Sequence, residues 1–366
     1  MRAALWSERL HRAWQREPAP AWAGLLSVAA LGYGILLRLR AGLYRLGVLR
    51  TRRLPCRVIS VGNLTLGGTG KTPMVELLAR ELQAAGAPVV VLSRGYRRAR
   101  TAEIQAVSDG QRLLLGPEEA GDEPSLLAAR LPGVPVVVGA HRYRAGAWAL
   151  ERFRPAVLLL DDGFRHRTLA KDVEVLLVSA QAPWGRGGLF PRGSLREPAR
   201  AAGRADLLVI THAEAPDPAI ERVRAELRRW NPTAPCALAR LEPEGILEVA
   251  TGRRLPLAAL DGRRLLAFAG IAAPDSFRAT LRAAGLPVLD LLAFPDHHPY
   301  APDDLRALAA QARALGAEGP ITTEKDAVRL PRGSGLPVWA LRVRLALGEG
   351  AGAWRDALRA RLGLPR

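Results

Sequence analysis

Lysine is almost absent from this chain: of 53 basic residues only Lys71, Lys171 and Lys325 are lysine, and the rest are arginine. With Ala, Leu, Gly and Pro also abundant, this reads as a coding bias that writes arginine wherever a surface cation suffices. A position that keeps lysine then suggests a need for a compact charge on a flexible stem, which a planar guanidinium does not imitate. Acidic residues are scarce too. The formal net charge of +18 points to a polyanionic partner (nucleic acid, phospholipid surface or phosphorylated substrate) unless the arginine bias alone explains it. Aromatic residues make up 5% of the chain and no RNA- or DNA-reading motif is present, which argues against a basic, stacking nucleic-acid surface. The two cysteines, Cys56 and Cys236, lie far apart and fit no metal-ligand spacing. A reducing compartment, or indifference to thiols, is the plain reading. There is no internal repeat and no dominant low-complexity tract.

What is present begins with an uneven N-terminus. Residues 1–57 hold eleven arginines against Glu8 and Glu17. Within them lies an uncharged run from Pro18 to Leu37 that includes Trp22, Leu25, Leu26, Val28, Leu31, Tyr33, Ile35, Leu36 and Leu37. Its length barely spans a bilayer, and its Pro, Gly and Ser residues weaken it as a spanning helix. Arg38, Arg40, Arg45 and Arg50 resist translocation and argue against a cleaved signal peptide. Basic flanks and Trp/Tyr in the run favour a helix lying in or dipping into the inner leaflet, with a buried helix of a soluble domain as the competing reading.

Beyond this segment, strands and helices alternate. Buried-strand runs are expected at Arg57–Val61, Val89–Leu92, Val134–Val138, Ala156–Leu160, Val173–Val178 and Leu207–Ile210, with a helix over Pro73–Ala85. Continuous apolar runs of this kind indicate a mainly parallel sheet covered on both faces. Glu242–Pro256, rich in Pro, Gly and charge, reads as a boundary. A second alternation follows: strands Leu265–Ala269, Val288–Leu292, Pro320–Thr323 and Val338–Leu345, with helices from Pro274 and Pro302. The expected organisation is a membrane-associated segment (1–45), a phosphate-loop domain (46–250, which 346–366 could complete) and a smaller α/β domain (257–345). The final helix, Ala351–Leu362, is free to pack on either.

The stretch Val61-Gly62-Asn63-Leu64-Thr65-Leu66-Gly67-Gly68-Thr69-Gly70-Lys71-Thr72 follows a strand and opens a helix, the context that a P-loop requires. Glycines let the backbone N–H groups face phosphate oxygens, and the helix N-terminus adds its positive end. Lys71 would reach the β- and γ-phosphates of ATP, and the Thr72 hydroxyl would join a Mg²⁺ shell. Thr65 stands where the usual pattern has its first glycine. Partition ATPases carry an extra lysine before the Gly-Gly pair, and here that position is Leu66. An acid at a neighbouring strand end should complete the metal site, and Asp161-Asp162 after the run Val157–Leu160 supplies it.

The string Val61–Pro73 resembles the tetraacyldisaccharide 4′-kinase family, which shares the missing first glycine. Four further motifs are similar to that family: Ser93-Arg94-Gly95-Tyr96, Gly121-Asp122-Glu123-Pro124, Asp161-Asp162-Gly163-Phe164 and Phe294-Pro295-Asp296-His297-His298. Thr323–Val328 is similar to its C-terminal signature. The resemblance implies a P-loop α/β fold and transfer of the ATP γ-phosphate to the 4′-hydroxyl of a lipid A precursor at the cytoplasmic face of the inner membrane. It assigns Thr65 and Gly67–Thr72 (Gly67, Gly68, Thr69, Gly70, Lys71, Thr72) to nucleotide, and Asp161, Asp162 and Glu197 to the metal environment. Asp122 becomes the base that takes the hydroxyl proton, with His297 as its partner. Arg165 and Ser194 depart from the family pattern, which has Gln and Pro there.

From the residues alone, Asp122 reads as a helix N-cap and Lys325-Asp326 as a surface pair, although the retained lysine favours a site role toward phosphate or nucleotide. Arg94 and Arg142 are candidate contacts for the disaccharide 1-phosphate. Asp122 and His297 fall in different expected domains, so their meeting is expected to require domain closure. Two other readings compete: a nucleic-acid- or membrane-associated P-loop ATPase without lipid kinase activity, and a small-molecule kinase, for which the N-terminal helix has no purpose.

Overall fold

The computed structural model describes residues 20–95, 102–214, 217–331 and 336–363. The N-terminal arginines through Arg16, the start of the apolar run, Tyr96 and residues 364–366 lie outside the described residues. Helix α1 (Pro20–Arg45) opens on a proline whose missing N–H costs nothing at a helix start, and it carries Arg45 in its last turn.

Valine- and leucine-rich runs supply the sheet. In chain order they are β1 (Arg57–Asn63), β2 (Val89–Ser93), β3 (Ile104–Ser108), β4 (Val136–Gly139), β5 (Val157–Asp161), β6 (Val173–Ser179), β7 (Leu207–Thr211), β8 (Cys236–Glu248), β9 (Arg253–Leu255), β10 (Leu265–Ala269), β11 (Val288–Ala293), β12 (Gly319–Thr323) and β13 (Trp339–Leu347). The spatial order is β11-β10-β12-β13-β8-β7-β6-β1-β5-β2-β4-β3, with β9 paired to β8. Strand β1 lies between β5 and β6 and is parallel to both. Alternate residues of β6 enter two different cores: Val173, Val175 and Leu177 on one face, Leu176 and Val178 on the other. Burial on both faces is why these strands read as unbroken apolar runs.

The helices that follow are α2 (Lys71–Ala84), α3 (Pro117–Ala120), α4 (Asp122–Arg130), α5 (Arg142–Phe153), α6 (Pro218–Trp230), α7 (Pro274–Ala283), α8 (Pro302–Ala314), α9 (Glu324–Ala327) and α10 (Ala351–Leu362). Helix α10 packs Trp354, Leu358 and Leu362 into the core that also holds Leu78 and Leu82 of α2. It therefore completes the phosphate-loop side of the molecule.

The expected boundary at Glu242–Pro256 is strand instead. β8 pairs in parallel with β7 over Cys236–Leu238 and then, from Ala239 to Glu248, antiparallel with β13. One continuous strand thus carries the sheet from one half to the other. Its Pro and Gly residues, read as linker, sit at an irregularity of register where Arg342 faces Gly245 and Val343 faces Pro243, so Glu244 is the extra residue of a bulge. The bulge turns Glu244 onto two buried guanidinium groups, Arg130 Nη2 at 2.8 Å and Arg342 Nη2 at 3.3 Å. Arg130 also reaches Glu76 of α2 at 2.6 Å and Glu324 of α9, and Arg342 meets Glu324 at 3.1 Å. This network joins α2, α4, α9, β8 and β13.

Candidate active site

The phosphate loop leaves β1 at its carboxyl end. Gly67 (φ 116°) and Gly70 (φ 76°) hold left-handed backbone that a side chain would strain. A Cβ at Gly67 or Gly68 would meet nothing within 4 Å, so the loop's outer side is open. Segment 194–196 lies along the loop like a short strand. Leu66 N donates to Ser194 O (2.8 Å), Arg196 N donates to Leu64 O (2.7 Å), and Thr65 bridges Leu195. Ser194, the departure from the family pattern, accepts from Arg186 N through its hydroxyl at 2.8 Å. Lys71 donates to Asn63 Oδ1 at 3.2 Å, while Thr72 follows it in the first turn of α2. Burial pushes the Lys71 ammonium below its usual range, against Asp162 and Glu123, which favour its charge. The Thr69 hydroxyl is buried without a partner.

The carboxylates at the end of β5 sit beside this loop, with Val61 in register with Asp161. Gly62 is required there, since a Cβ would come within 2.5 Å of Phe164 Cβ in the turn after the acid pair. The two acids differ. Asp161 is buried, and its Oδ2 accepts from Ser93 Oγ at 3.1 Å, but its buried Oδ1 has no partner. Burial, with Glu123 and Asp162 adding to it, raises Asp161 to about 7. Asp162, in left-handed backbone (φ 51°), accepts two bonds from Arg196, at 2.7 and 2.8 Å. Burial works against its ionisation, yet Arg196 and Lys71 hold it well below the usual carboxylate range. An orphaned carboxylate oxygen beside an ionised carboxylate suits a small hard cation. No group of three or more His, Cys, Asp or Glu forms a metal cage among the described residues. Magnesium does not need one, since it is commonly held by one or two carboxylates with phosphate oxygens and water.

Glu197 does not join this pair: its buried carboxylate accepts from Arg204 Nη1 at 2.6 Å. Arg142 is 1% exposed, donates to Gly139 O and to Asp161 O (3.4 Å), and is lowered to about 10 by burial. It supports the acid turn and is not a surface anion contact, whereas Arg94 is exposed. Lys171, paired with Glu174, reaches Gly163 O and Phe164 O at 3.4 Å. A second retained lysine therefore braces the turn after the acid pair.

Asp122 and His297 are already in contact: His297 Nδ1 lies 3.0 Å from Asp122 Oδ2. The expectation that only closure would unite them is corrected, because the Arg130–Glu324 pairing already ties α4 to α9. Asp122 is not the N-cap either. Gly121 (φ 92°) takes that place, and Asp122 is the first helical residue. Arg329 Nε approaches the same Oδ2 at 3.2 Å. Burial raises the Asp122 carboxyl, but the His297 hydrogen bond, Arg329 and Lys325 outweigh it and the net shift is downward. His297 also has left-handed backbone (φ 60°), with its N–H bonded to Gly270 O at 3.1 Å. Such backbone on a non-glycine residue is uncommon and concentrates at functional sites. Lys325 reaches Glu123 Oε1 (3.3 Å) and His297 Nε2 (3.5 Å). Asp326 is wholly buried, so the surface-pair reading fails: it accepts from Gly270 N and Tyr300 Oη at 2.9 Å and from Thr323 Oγ1 at 2.6 Å.

Glu123 links the two halves of the site, since its charge acts on Lys71 and Asp161 while its side chain pairs with Lys325. Neither Glu123 nor Arg196 nor Arg329 was singled out from sequence. The two arginines carry no signal among so many, and Glu123 was visible only as a neighbour of Asp122. On the far side of Arg196, Tyr33 of α1 donates to Arg196 O at 2.9 Å and accepts from Arg165 Nη2 at 3.2 Å. Arg165, the other departure from the family pattern, thus helps to seat α1. The rest of α1 exposes Leu25, Val28, Leu31, Ile35, Leu36 and Leu39. Over Ala23–Arg45 it is long and apolar enough to cross a membrane, and it is almost wholly unburied, which sets aside the buried-helix reading.

Comparison with known proteins places nearly the whole chain. The family model described as tetraacyldisaccharide-1-P 4′-kinase matches residues 22–363. The tetraacyldisaccharide 4′-kinase of Syntrophus aciditrophicus (strain SB) is 44% identical over 343 residues, 88% of this chain and 89% of its own. The protein of the same name from Geobacter metallireducens (strain ATCC 53774 / DSM 7210 / GS-15) is 46% identical over 307 residues, 84% of this chain and 88% of its own. Among solved structures, the "apo" form LpxK from Aquifex aeolicus in complex with ATP matches with a TM-score of 0.76 and 32% identity, covering 93% of this chain and 99% of that one. With a family model and relatives matching along nearly its whole length, the chain belongs to the tetraacyldisaccharide-1-P 4′-kinase family.

Proposed function

We propose that the chain transfers the γ-phosphate of ATP to the 4′-hydroxyl of a tetraacyldisaccharide 1-phosphate lipid A precursor, working from the cytoplasmic face of the inner membrane. The observation that carries this reading is the Asp122–His297 contact, one residue from Glu123 whose charge acts on Lys71, because an alcohol acceptor must lose its proton as the bond to phosphorus forms. Gly67–Lys71 cradle the nucleotide phosphates through backbone N–H groups and the Lys71 ammonium. Thr72, Asp161 and Asp162 hold Mg²⁺, which when bound neutralises charge on the phosphates. Glu197 would have to leave Arg204 to join them. The acceptor oxygen attacks the γ-phosphorus, the bond from that phosphorus to the bridging oxygen breaks, and the electron pair leaves on ADP. The alcohol proton passes to the Asp122–His297 unit. The apolar face of α1 lies in the inner leaflet beside the acyl chains.

The direct test is transfer of labelled γ-phosphate from ATP to a lipid A precursor in mixed micelles. Lys71→Ala should abolish it. Asp122→Asn and His297→Asn should each lower turnover roughly 10²–10⁴-fold with ATP binding intact, and the double variant should be little worse than the worse single one. Absence of transfer by the unaltered protein, or fully multiplicative losses in the double variant, would overturn the assignment.

A further inference from the structure

The ring of His297 lies between two carboxylates and one ammonium. On one side Nδ1 is 3.0 Å from Asp122 Oδ2. On the other, Nε2 is 3.5 Å from Lys325 Nζ and 4.0 Å from Asp296 Oδ1, a buried oxygen with no hydrogen-bond partner. A ring carrying a single hydrogen can serve only one of those carboxylates. With the hydrogen on Nδ1 it donates to Asp122, and with the hydrogen on Nε2 it would turn toward Asp296 and face Asp122 with a lone pair. Lysine settles the choice, because an ammonium has hydrogens to give and no lone pair to receive one. Beside it, Nε2 must accept. Among the described residues a further charged neighbour, Arg329, contacts Asp122 Oδ2.

Building on the proposed kinase reading, we infer that Lys325 is a positioning residue that fixes the ring hydrogen of His297 on Nδ1, so that His297 orients Asp122 and Asp122 itself receives the alcohol proton. His297 and Arg329 both engage Oδ2 of Asp122, and Oδ1 takes part in neither contact. In the transfer step the alcohol O–H bond breaks, its proton goes to Asp122 Oδ1, the new O–P bond forms, and ADP leaves with the electron pair of the broken bond. Nε2, occupied by a lysine hydrogen, offers no second place for that proton.

The local build supports so fixed a role. Lys325 sits between two anchored residues: Glu324, held by Arg130 and Arg342, and Asp326, held by Gly270 N, Tyr300, Thr323 and Arg329. Its ammonium is braced from the other side by Glu123. A guanidinium is too large and too planar to occupy the same point, which accounts for a lysine in a chain that elsewhere prefers arginine.

The test uses the full-length protein in micelles with ¹⁵N-labelled histidine. Lys325→Met should lower kcat roughly 10- to 100-fold, less than the roughly 10²–10⁴-fold cost of losing the base itself because the base is misaligned and not removed, with the KM values for ATP and acceptor little changed. The His297 ring ¹⁵N signals, assigned by their loss in His297→Asn, should move from the Nδ1–H pattern toward Nε2–H. Asp296→Ala in the Lys325→Met background should restore part of the turnover by removing the competing acceptor, and Lys325→Gln should repeat the result should the methionine variant be unstable. Unchanged ring signals would overturn the inference. So would a loss confined to the acceptor KM, which would make Lys325 a contact for substrate phosphate. Failure of the underlying kinase reading is distinguishable, since the unaltered protein would then transfer no phosphate while the His297 ring signals would still move in Lys325→Met.

Discussion

His166 is a histidine among cations. Burial lowers it first, and Arg142, Lys171 and Arg94 add to the effect against the opposing pull of Asp162, taking it from 6.5 to about 3. An unfolded chain would accept a proton on this ring near 6.5, whereas the folded protein declines it until about 3. Its contribution to stability is therefore complete above the unfolded value and is lost as pH falls through that window. The melting temperature of the nucleotide-free protein should drop from about pH 6.5 downward, and His166→Asn should flatten that slope. His212, lowered by burial in the same direction, would leave a residue of it. An unaltered slope in His166→Asn would assign the acid sensitivity to other groups. At this scale the sequence was readable where residues are rare. All three lysines lie at the site: Lys71 on the phosphate loop, Lys171 behind the acid turn and Lys325 on His297. Arg196 and Arg329 were unreadable for the opposite reason, since nothing local separates a guanidinium that holds Asp162 or Asp122 from one that coats the surface.

Among the elements, α1 connects surface to chemistry. Tyr33 bonds the backbone of Arg196, and the Arg196 guanidinium holds Asp162 and Asn63. Removing residues 1–40 should abolish flotation with membranes and also loosen nucleotide binding. Tyr33→Phe should keep flotation and weaken ATP binding by about fivefold, as expected for one hydrogen bond worth about 1 kcal/mol. Flotation assays beside ATP titrations read both, and full ATP affinity in the deletion would separate the anchor from the site. The central strands around the loop were evident from their apolar runs. β3 was not, because it is a short edge strand with three half-buried residues. β8 was hidden by its own irregularity: Pro243 and Gly245 read as linker when they are the setting of a bulge that delivers Glu244 to Arg130.

Across the whole molecule, Arg130 is the point at which the phosphate-loop helix α2, the helix α4 that carries Asp122, and α9 meet. It is 4% exposed and pairs with Glu76, Glu244 and Glu324 at once, sharing the last two with Arg342. Breaking a buried pair by removing one partner typically costs about 3–5 kcal/mol, because the remaining charges stay buried. Urea unfolding of Arg130→Ala should show a loss of that order, and a loss below about 1 kcal/mol would mean that water reaches the cluster. This cluster is also why Asp122 and His297, 175 residues apart in sequence, need no closure to meet. The same long-range wiring constrains how the protein is made. Trp354, Leu358 and Leu362 of α10 fill the core beneath the phosphate-loop helix, and β13 is the partner that extends β8. On the ribosome, a nascent chain that has emerged only as far as β8 holds every phosphate-loop residue but not the helix that seals their core. Its unpaired strand edge and apolar floor stay exposed while roughly a hundred further residues are added at about 5–20 per second. Nucleotide binding should therefore arise late in synthesis, in one step with the arrival of residues 351–362, and the waiting intermediate is the species most in need of a chaperone or a membrane surface.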